Sequence, residues 1–186
     1  MACDLENGRA LECRESIGGI RNVYFANYGD LGNLSILDNE LLSTAAASVY
    51  KYELIPQSSS FDEAITVSEE NGTVFFEQTL TLALPNLTKT ELKELQILCQ
   101  GRFQVFVEDN NVDTITQTGK TFLAGAFNGM TVTGGNVAKG QAFGDMNGYN
   151  LTLTGREKEA AYILDEATSA GDPFSGLDAT ITVVTS

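Results

Sequence analysis

The chain contains no histidine. That removes Ser-His-Asp and Cys-His catalysis, imidazole metal ligands and the usual proton-transfer group near neutral pH. Cations are scarce too: 11 Lys and Arg stand against 25 Asp and Glu, a formal charge of −14. An acidic surface repels phosphate backbones, so tight nucleic-acid binding is disfavoured. Cys3, Cys13 and Cys99 are too few for a disulfide scaffold, and an odd number leaves one thiol over. A four-cysteine zinc site cannot form within one chain, and no histidine can complete a smaller one. Cys3 and Cys13 could close a short loop or cross-link a neighbouring subunit. Reduced thiols are the default, because the opening MACDLENGRALECRESIGG has internal acids and no apolar stretch to act as an export signal. No run approaches the ~18 apolar residues of a membrane span, so a soluble chain without a membrane partner is expected.

What is present reads as one globular domain over residues 1–186. Hydrophobic residues make up 42% of it, which argues against disorder. Residues 1–19 read as an N-terminal arm, and residues 20–186 as a β-rich core. The first strand is expected from Ile20 to Ala26, where β-branched and aromatic residues cluster. A loop (NYGDLGN) and a short apolar stretch (SIL) follow. In ASVYKYELI, Val49, Lys51 and Glu53 alternate with Tyr50, Tyr52 and Leu54, a half-buried strand with one wet face. EAITVSEENGTVFFEQTLTLALP reads as a long β-hairpin turning at Asn71-Gly72. Its second arm, Thr73 to Leu84, places Val74, Phe76, Leu80, Leu82 and Leu84 on one face if a bulge near Glu77 and Gln78 resets the register.

One helix is expected, at about residues 89–100. Thr88 and Glu91 form a capping-box pattern, Leu92, Leu95, Leu98 and Cys99 form an apolar stripe, and Gly101 suits the C-terminal cap. Such a helix should lie on a sheet, with Cys99 as a core residue. Beyond it come FQVFV, TFLAGA, MTVTGG, NLTLTG, EAAYIL and ITVVT, all short strands. Asn128-Gly129, Gly134-Gly135, Asn147-Gly148 and Gly155 read as turns between them. Mainly β with one α-helix, as a sandwich or barrel, is the fold class this pattern gives.

Chemical motifs are weak. Gly119-Lys120-Thr121 ends like a phosphate-binding loop, but Thr114 stands where the first glycine belongs and a strand follows. From Gly135 to Gly140 the glycine spacing recurs, with Gln141 where lysine is needed. Glu108, Asp109, Asn110, Asn111 and Asp113 are rich in oxygen but lack calcium-loop spacing. Asp145 and Asn147 read as turn formers. No catalytic residue, cofactor or metal ligand is nominated.

Three stretches carry a likeness: MACDLENGRALECRESIGGIRNVYFA, ELQILCQGRFQVFVEDNN, and FLAGAFNGMTVTGGNVAKGQAFGDMNGYNLTLTGREKEAAY. Together they resemble tail tube (major tail) proteins of tailed bacteriophages. The resemblance implies a β-sandwich with a flanking helix and a long hairpin. It implies homomeric rings, hexameric in most of the family, stacked into a virion tail tube, with other tail proteins as partners and synthesis in the host bacterial cytoplasm. Inner strands of neighbours would join into one barrel around an acidic channel that passes DNA without holding it. On that basis Cys3 and Cys13 in the arm, and Pro56 and Phe61 in the 56–62 loop, are candidate inter-ring contacts. Val74, Phe76, Leu80 and Leu82 are candidate contacts of the barrel strand. Another virion component (head decoration, completion or sheath-associated protein) and a β-sandwich adhesin are the competing readings.

Overall fold

A computed structural model of the chain describes residues 8–9, 16–86, 88–142 and 145–185. Cys3, Cys13 and most of the expected arm lie outside them.

Twelve strands and one helix are formed among the described residues. They are β1 (Ile20–Asn27), β2 (Ser35–Leu37), β3 (Glu40–Ser43), β4 (Ala47–Glu53), β5 (Ser60–Ser68), β6 (Thr73–Pro85), α1 (Lys89–Gln100), β7 (Phe103–Asp109), β8 (Thr121–Ala124), β9 (Thr131–Ala138), β10 (Gly148–Glu157), β11 (Tyr162–Leu164) and β12 (Ile181–Val184). An eight-stranded sheet runs β12-β4-β1-β7-β8-β11-β3-β2, and a four-stranded sheet runs β5-β6-β10-β9. The described residues are thus mainly β with a single helix, as the residue pattern predicts.

Two apolar clusters explain the layering. Between the sheets, Val23, Phe25, Val105 and Val107 meet Leu80, Leu82, Leu151 and Leu153, with Leu95 and Leu98 of α1 closing one side. On the far face of the larger sheet, Tyr24, Phe106, Leu123 and Tyr162 meet Leu31, Phe174 and Leu177 from loops. Ile36 and Leu41 from one end of that sheet, and Ile181 and Val183 from the other, join this second cluster, so the sheet curls around it. Its central strands are therefore buried on both faces. β7 shows this best, being buried from Phe103 through Glu108. β4 departs from the expected single wet face for the same reason: Val49 enters one cluster while Leu54, just past the strand, enters the other.

β6 needs no bulge. It pairs with β5 and β10 without a register shift, and every even residue from Val74 to Leu84 shares one face. Gln78 takes its turn on that face, 1% exposed, and stays satisfied there. Its side chain donates to Glu63 at 2.9 Å and accepts from the Gly125 N–H at 2.8 Å. A polar residue in the apolar row is therefore tolerated, because both of its polar atoms are paired.

The hairpin turn is four residues, Glu69–Gly72, with Gly72 in the left-handed region. α1 begins at a complete capping box of Thr88 and Glu91. Its end differs from expectation: Gly101 is extended, at φ −89°, with no left-handed cap. Glycine fits here because a Cβ would meet the Phe103 ring at 2.3 Å. Cys99 is exposed, not core, since only Leu95 and Leu98 of the helix turn inward. The Gly134-Gly135 and Gly155 turns are also corrected, because all three glycines lie inside strands. A Cβ on Gly135 would meet the Asn150 carbonyl oxygen at 2.5 Å, and one on Gly155 would meet Met130 Cγ at 3.0 Å. These glycines permit close approach within the sheet.

Candidate assembly interface

The four-stranded sheet is built from antiparallel pairs throughout. Alternation assigns its faces. Leu80, Leu82, Leu151 and Leu153 point toward the larger sheet. Facing away are Thr79 and Thr81 of β6, opposite Thr154 and Thr152 of β10, with Asn150 opposite Ala83. This outward face is rich in hydroxyls and amides. Its charges are Asp62 of β5 and the Glu77–Arg156 pair, at 2.9 Å.

Both outer strands, β5 and β9, have one partner each and so present a free edge of unpaired backbone groups. The hairpin also overhangs. β10 pairs with β6 only as far as Phe76, so Thr73–Phe75 pair with β5 alone. Ile65 at the base of this ribbon, and Val67 and Val74 on it, are 65%, 60% and 50% exposed. Two-stranded ribbons are marginal alone, and the apolar face of this one is uncovered.

The strands are also staggered. Ala64, midway along β5, lies opposite Glu77 of β6. The midpoint of β9, at Gly134 and Gly135, projects through Thr152 and Leu151 onto Thr81 and Leu82. That is a shift of about four or five residues across three strand spacings, or about 15 Å along for about 14 Å across. It corresponds to a tilt of about 45°, the value of strands in closed barrels.

The expected contact residues divide accordingly. Val74 is exposed on the overhang and Pro56 is exposed in the loop before β5. Phe76 and Phe61 are half-buried, and Phe61 already lies within β5, packed against the inter-sheet core. Leu80 and Leu82 are corrected: both are fully buried between the sheets, so their side chains cannot meet another subunit. Cys3 and Cys13 lie outside the described residues. Ile65 and Val67, both exposed, are not among the expected contacts, although their alternation with Thr66 and Ser68 is a readable period-two signal. The free edge of β9 left no comparable signal, because strand order depends on tertiary pairing.

The oxygen-rich segment that begins in the last two residues of β7 is spent on holding its own loop and the adjoining strand. Glu108 is buried and accepts from Asn22 Nδ2 at 2.6 Å, the Tyr24 hydroxyl at 2.9 Å and the Gly119 N–H at 3.1 Å. Asp109 accepts from the Asn111 and Lys120 N–H groups. Asp113 accepts from the Thr116 N–H and hydroxyl. A cleft of about 700 Å³ lies beside this loop, lined among others by Glu40, Asp113, Lys120 and Glu166. Asp145 accepts from the Gln141 and Ala142 N–H groups, as a turn former does.

These backbone bonds lower the Asp113 carboxyl below its ordinary value, chiefly through the Thr116 N–H, and the Asp145 carboxyl chiefly through that of Ala142. A carboxyl lowered in the folded state stabilises above the unfolded value of 3.8 and loses that contribution as pH falls further. Hydrogen exchange, corrected for intrinsic rate, should therefore show both turns loosening at about pH 3 relative to about pH 6. Unchanged protection of the Thr116 and Ala142 amides would contradict this.

No protein family, curated protein or solved structure matches the chain.

Proposed function

We propose that the chain is a virion structural protein, the subunit of a bacteriophage tail tube. The observation that carries the reading is the four-stranded sheet, which has two free edges and the stagger of a barrel wall. One copy supplies too few strands to close a barrel, so closure requires other copies related by rotation. The likeness to tail tube proteins implies that number to be six, with rings stacked head to tail. In this arrangement the larger, curled sheet forms the outer layer and the hydroxyl-rich face lines the channel. Ile65, Val67 and Val74, on the overhang and at its base, then reach the adjacent ring.

The channel differs in one respect from the acidic one expected from composition. On the proposed lining, Glu77 is paired with Arg156 and Asp62 is the remaining acid among strand residues facing away from the core. Threonine and asparagine offer DNA no cation to grip, which suffices for passage without retention. The bulk of the −14 then lies elsewhere on the subunit.

Electron microscopy of the purified protein tests the proposal. Open tubes or stacked rings are expected at high protein concentration. A protein that stays monomeric, or that forms isolated trimers as a head decoration would, contradicts it.

A further inference from the structure

Four Asn-Gly pairs occur in the chain, beginning at Asn7, Asn71, Asn128 and Asn147. An asparagine followed by glycine carries its own reaction. The next backbone nitrogen, once it gives up its proton, attacks the side-chain amide carbon and closes a five-membered ring. Glycine favours this because it has no Cβ to crowd the attack and samples many backbone angles. Asn7 lies outside the described residues. The fold places the other three in very different surroundings.

Asn71 and Gly72 are both exposed in the turn between β5 and β6. The Gly72 N–H makes no hydrogen bond to a described residue, and a Cβ on Gly72 would meet nothing within 4 Å. The Asn71 side chain is held by one bond, Nδ2 donating to Ser68 Oγ at 3.1 Å. Water replaces such an exposed bond at little cost, so the amide can rotate toward the Gly72 nitrogen.

Asn128 is clamped. Its Nδ2 donates to the Arg156 carbonyl at 2.8 Å and to Glu157 Oε2 at 3.2 Å, and its own N–H donates to Glu157 Oε1 at 2.7 Å. Gly129 is buried, and its N–H donates to the Gly125 carbonyl at 3.1 Å. Arg102 Cγ and Tyr28 Cδ2 would stand 2.7 and 2.8 Å from a Cβ there, so the backbone has no room to swing. Asn147 is exposed, but Gly148 is buried as the first residue of β10, with Pro85 and Ala138 as its ladder partners. The Asn147 carbonyl also accepts from the Asn86 N–H at 2.8 Å. Ring closure at either pair therefore needs local opening first.

We propose that Asn71 is a site of spontaneous modification, converting to isoaspartate and aspartate through a succinimide while Asn128 and Asn147 stay intact. In the first step the bond from the Gly72 nitrogen to Asn71 Cγ forms and the Cγ–Nδ2 bond breaks. The Gly72 proton goes to solvent, and Nδ2 takes up a proton and leaves as ammonia. Water then adds to one of the two ring carbonyls. Opening at the main-chain carbonyl leaves isoaspartate, and opening at the side-chain carbonyl leaves aspartate. Neither step needs an oxidant, a metal or a second protein. Either product adds a carboxylate beside Glu69 and Glu70, and isoaspartate also lengthens the main chain by one methylene where the hairpin turns. This reactivity is independent of the tube reading.

Peptide mapping of the full chain, aged in mildly alkaline buffer, tests this. Trypsin separates the sites, since Asn71 falls between Lys51 and Lys89, Asn128 between Lys120 and Lys139, and Asn147 between Lys139 and Arg156. Asn71 should gain the mass of an amide-to-acid conversion on the order of tenfold faster than the other two, which convert only through local opening. Its peptide should elute as two products, one of them a substrate for an isoaspartyl methyltransferase. Asn71→Gln should abolish the fast conversion, because the longer side chain closes its ring far more slowly. In urea the rates of the parent's three sites should converge, which ties their ranking to the fold. Equal rates in the folded protein, or conversion at Asn128 or Asn147 ahead of Asn71, would overturn the proposal. So would a ranking that persists unchanged in urea, or aspartate as the sole product at Asn71.

Discussion

Glu108→Ala should lower the unfolding midpoint by about 10 °C. The carboxylate is buried and joins three elements, taking Asn22 Nδ2 and the Tyr24 hydroxyl from β1 and the Gly119 N–H from the loop before β8. Truncation leaves all three donors without their acceptor in a site water reaches poorly, at roughly 1–3 kcal/mol for each that stays unpaired. Partial relaxation brings the total to about 4 kcal/mol. For a chain of this size each kcal/mol moves the midpoint by about 2–4 °C. Glu108→Gln separates acceptor loss from lost volume. It keeps one acceptor oxygen but turns an amide toward a donor, so about half the effect should remain. Calorimetry of the three proteins decides this. A midpoint within 2 °C or so of the parent for Glu108→Ala would mean that the carboxylate does not hold the loop.

Phe106→Ala should cost about as much, by a different route. Phe106 is fully buried on the outer face of the larger sheet. Its ring stands edge-on to Phe174 at 5.0 Å, and Phe174 is edge-on to Tyr24 at the same distance. Phe174 belongs to the strandless stretch between β11 and β12, so the three rings fasten that stretch to the sheet. Losing the Phe106 ring removes its burial and leaves a cavity, at about 3–5 kcal/mol. Phe127→Ala is the control. That ring is 56% exposed, and its removal should cost under about 1 kcal/mol. Urea unfolding of both variants gives the comparison. Equal losses would show that the second cluster is not a tightly packed core.

These two residues also show what was legible in the sequence. Alternation along FQVFV puts Phe106 on the face opposite Phe103, Val105 and Val107, and period two alone does not show that both faces are covered. The curled sheet buries both faces of β7, and curling depends on contacts from loops far along the chain, such as Leu31 and Phe174. Glu108 was weighed as a calcium ligand because its neighbours are oxygen-rich. Two of its three donors lie 84 and 86 residues away and could not be read locally. The helix was legible because its cap and apolar spacing are local. The hairpin was legible too, though the conditional bulge was unnecessary, since Gln78 shares the parity of the leucines around it. The glycines show the converse: Gly135 in β9 is required by the approach of the Asn150 carbonyl across the sheet, a tertiary demand that mimics turn composition. For the proposed assembly surface, the sequence indicated the hairpin; Leu80 and Leu82 are buried, whereas Ile65 and Val67 are exposed.

The central claim is that the four-stranded sheet is completed by other copies of the chain, and amide hydrogen exchange on assembled and monomeric protein tests it most directly. The account predicts that, on assembly, alternate amides of β5 from Ser60 to Ser68 and of β9 from Thr131 to Ala138 become strongly protected together. Exchange in β2 and β12, the free edges of the larger sheet, should change little. Protection that appears at β2 or β12 while β5 and β9 exchange as in the monomer would contradict the account.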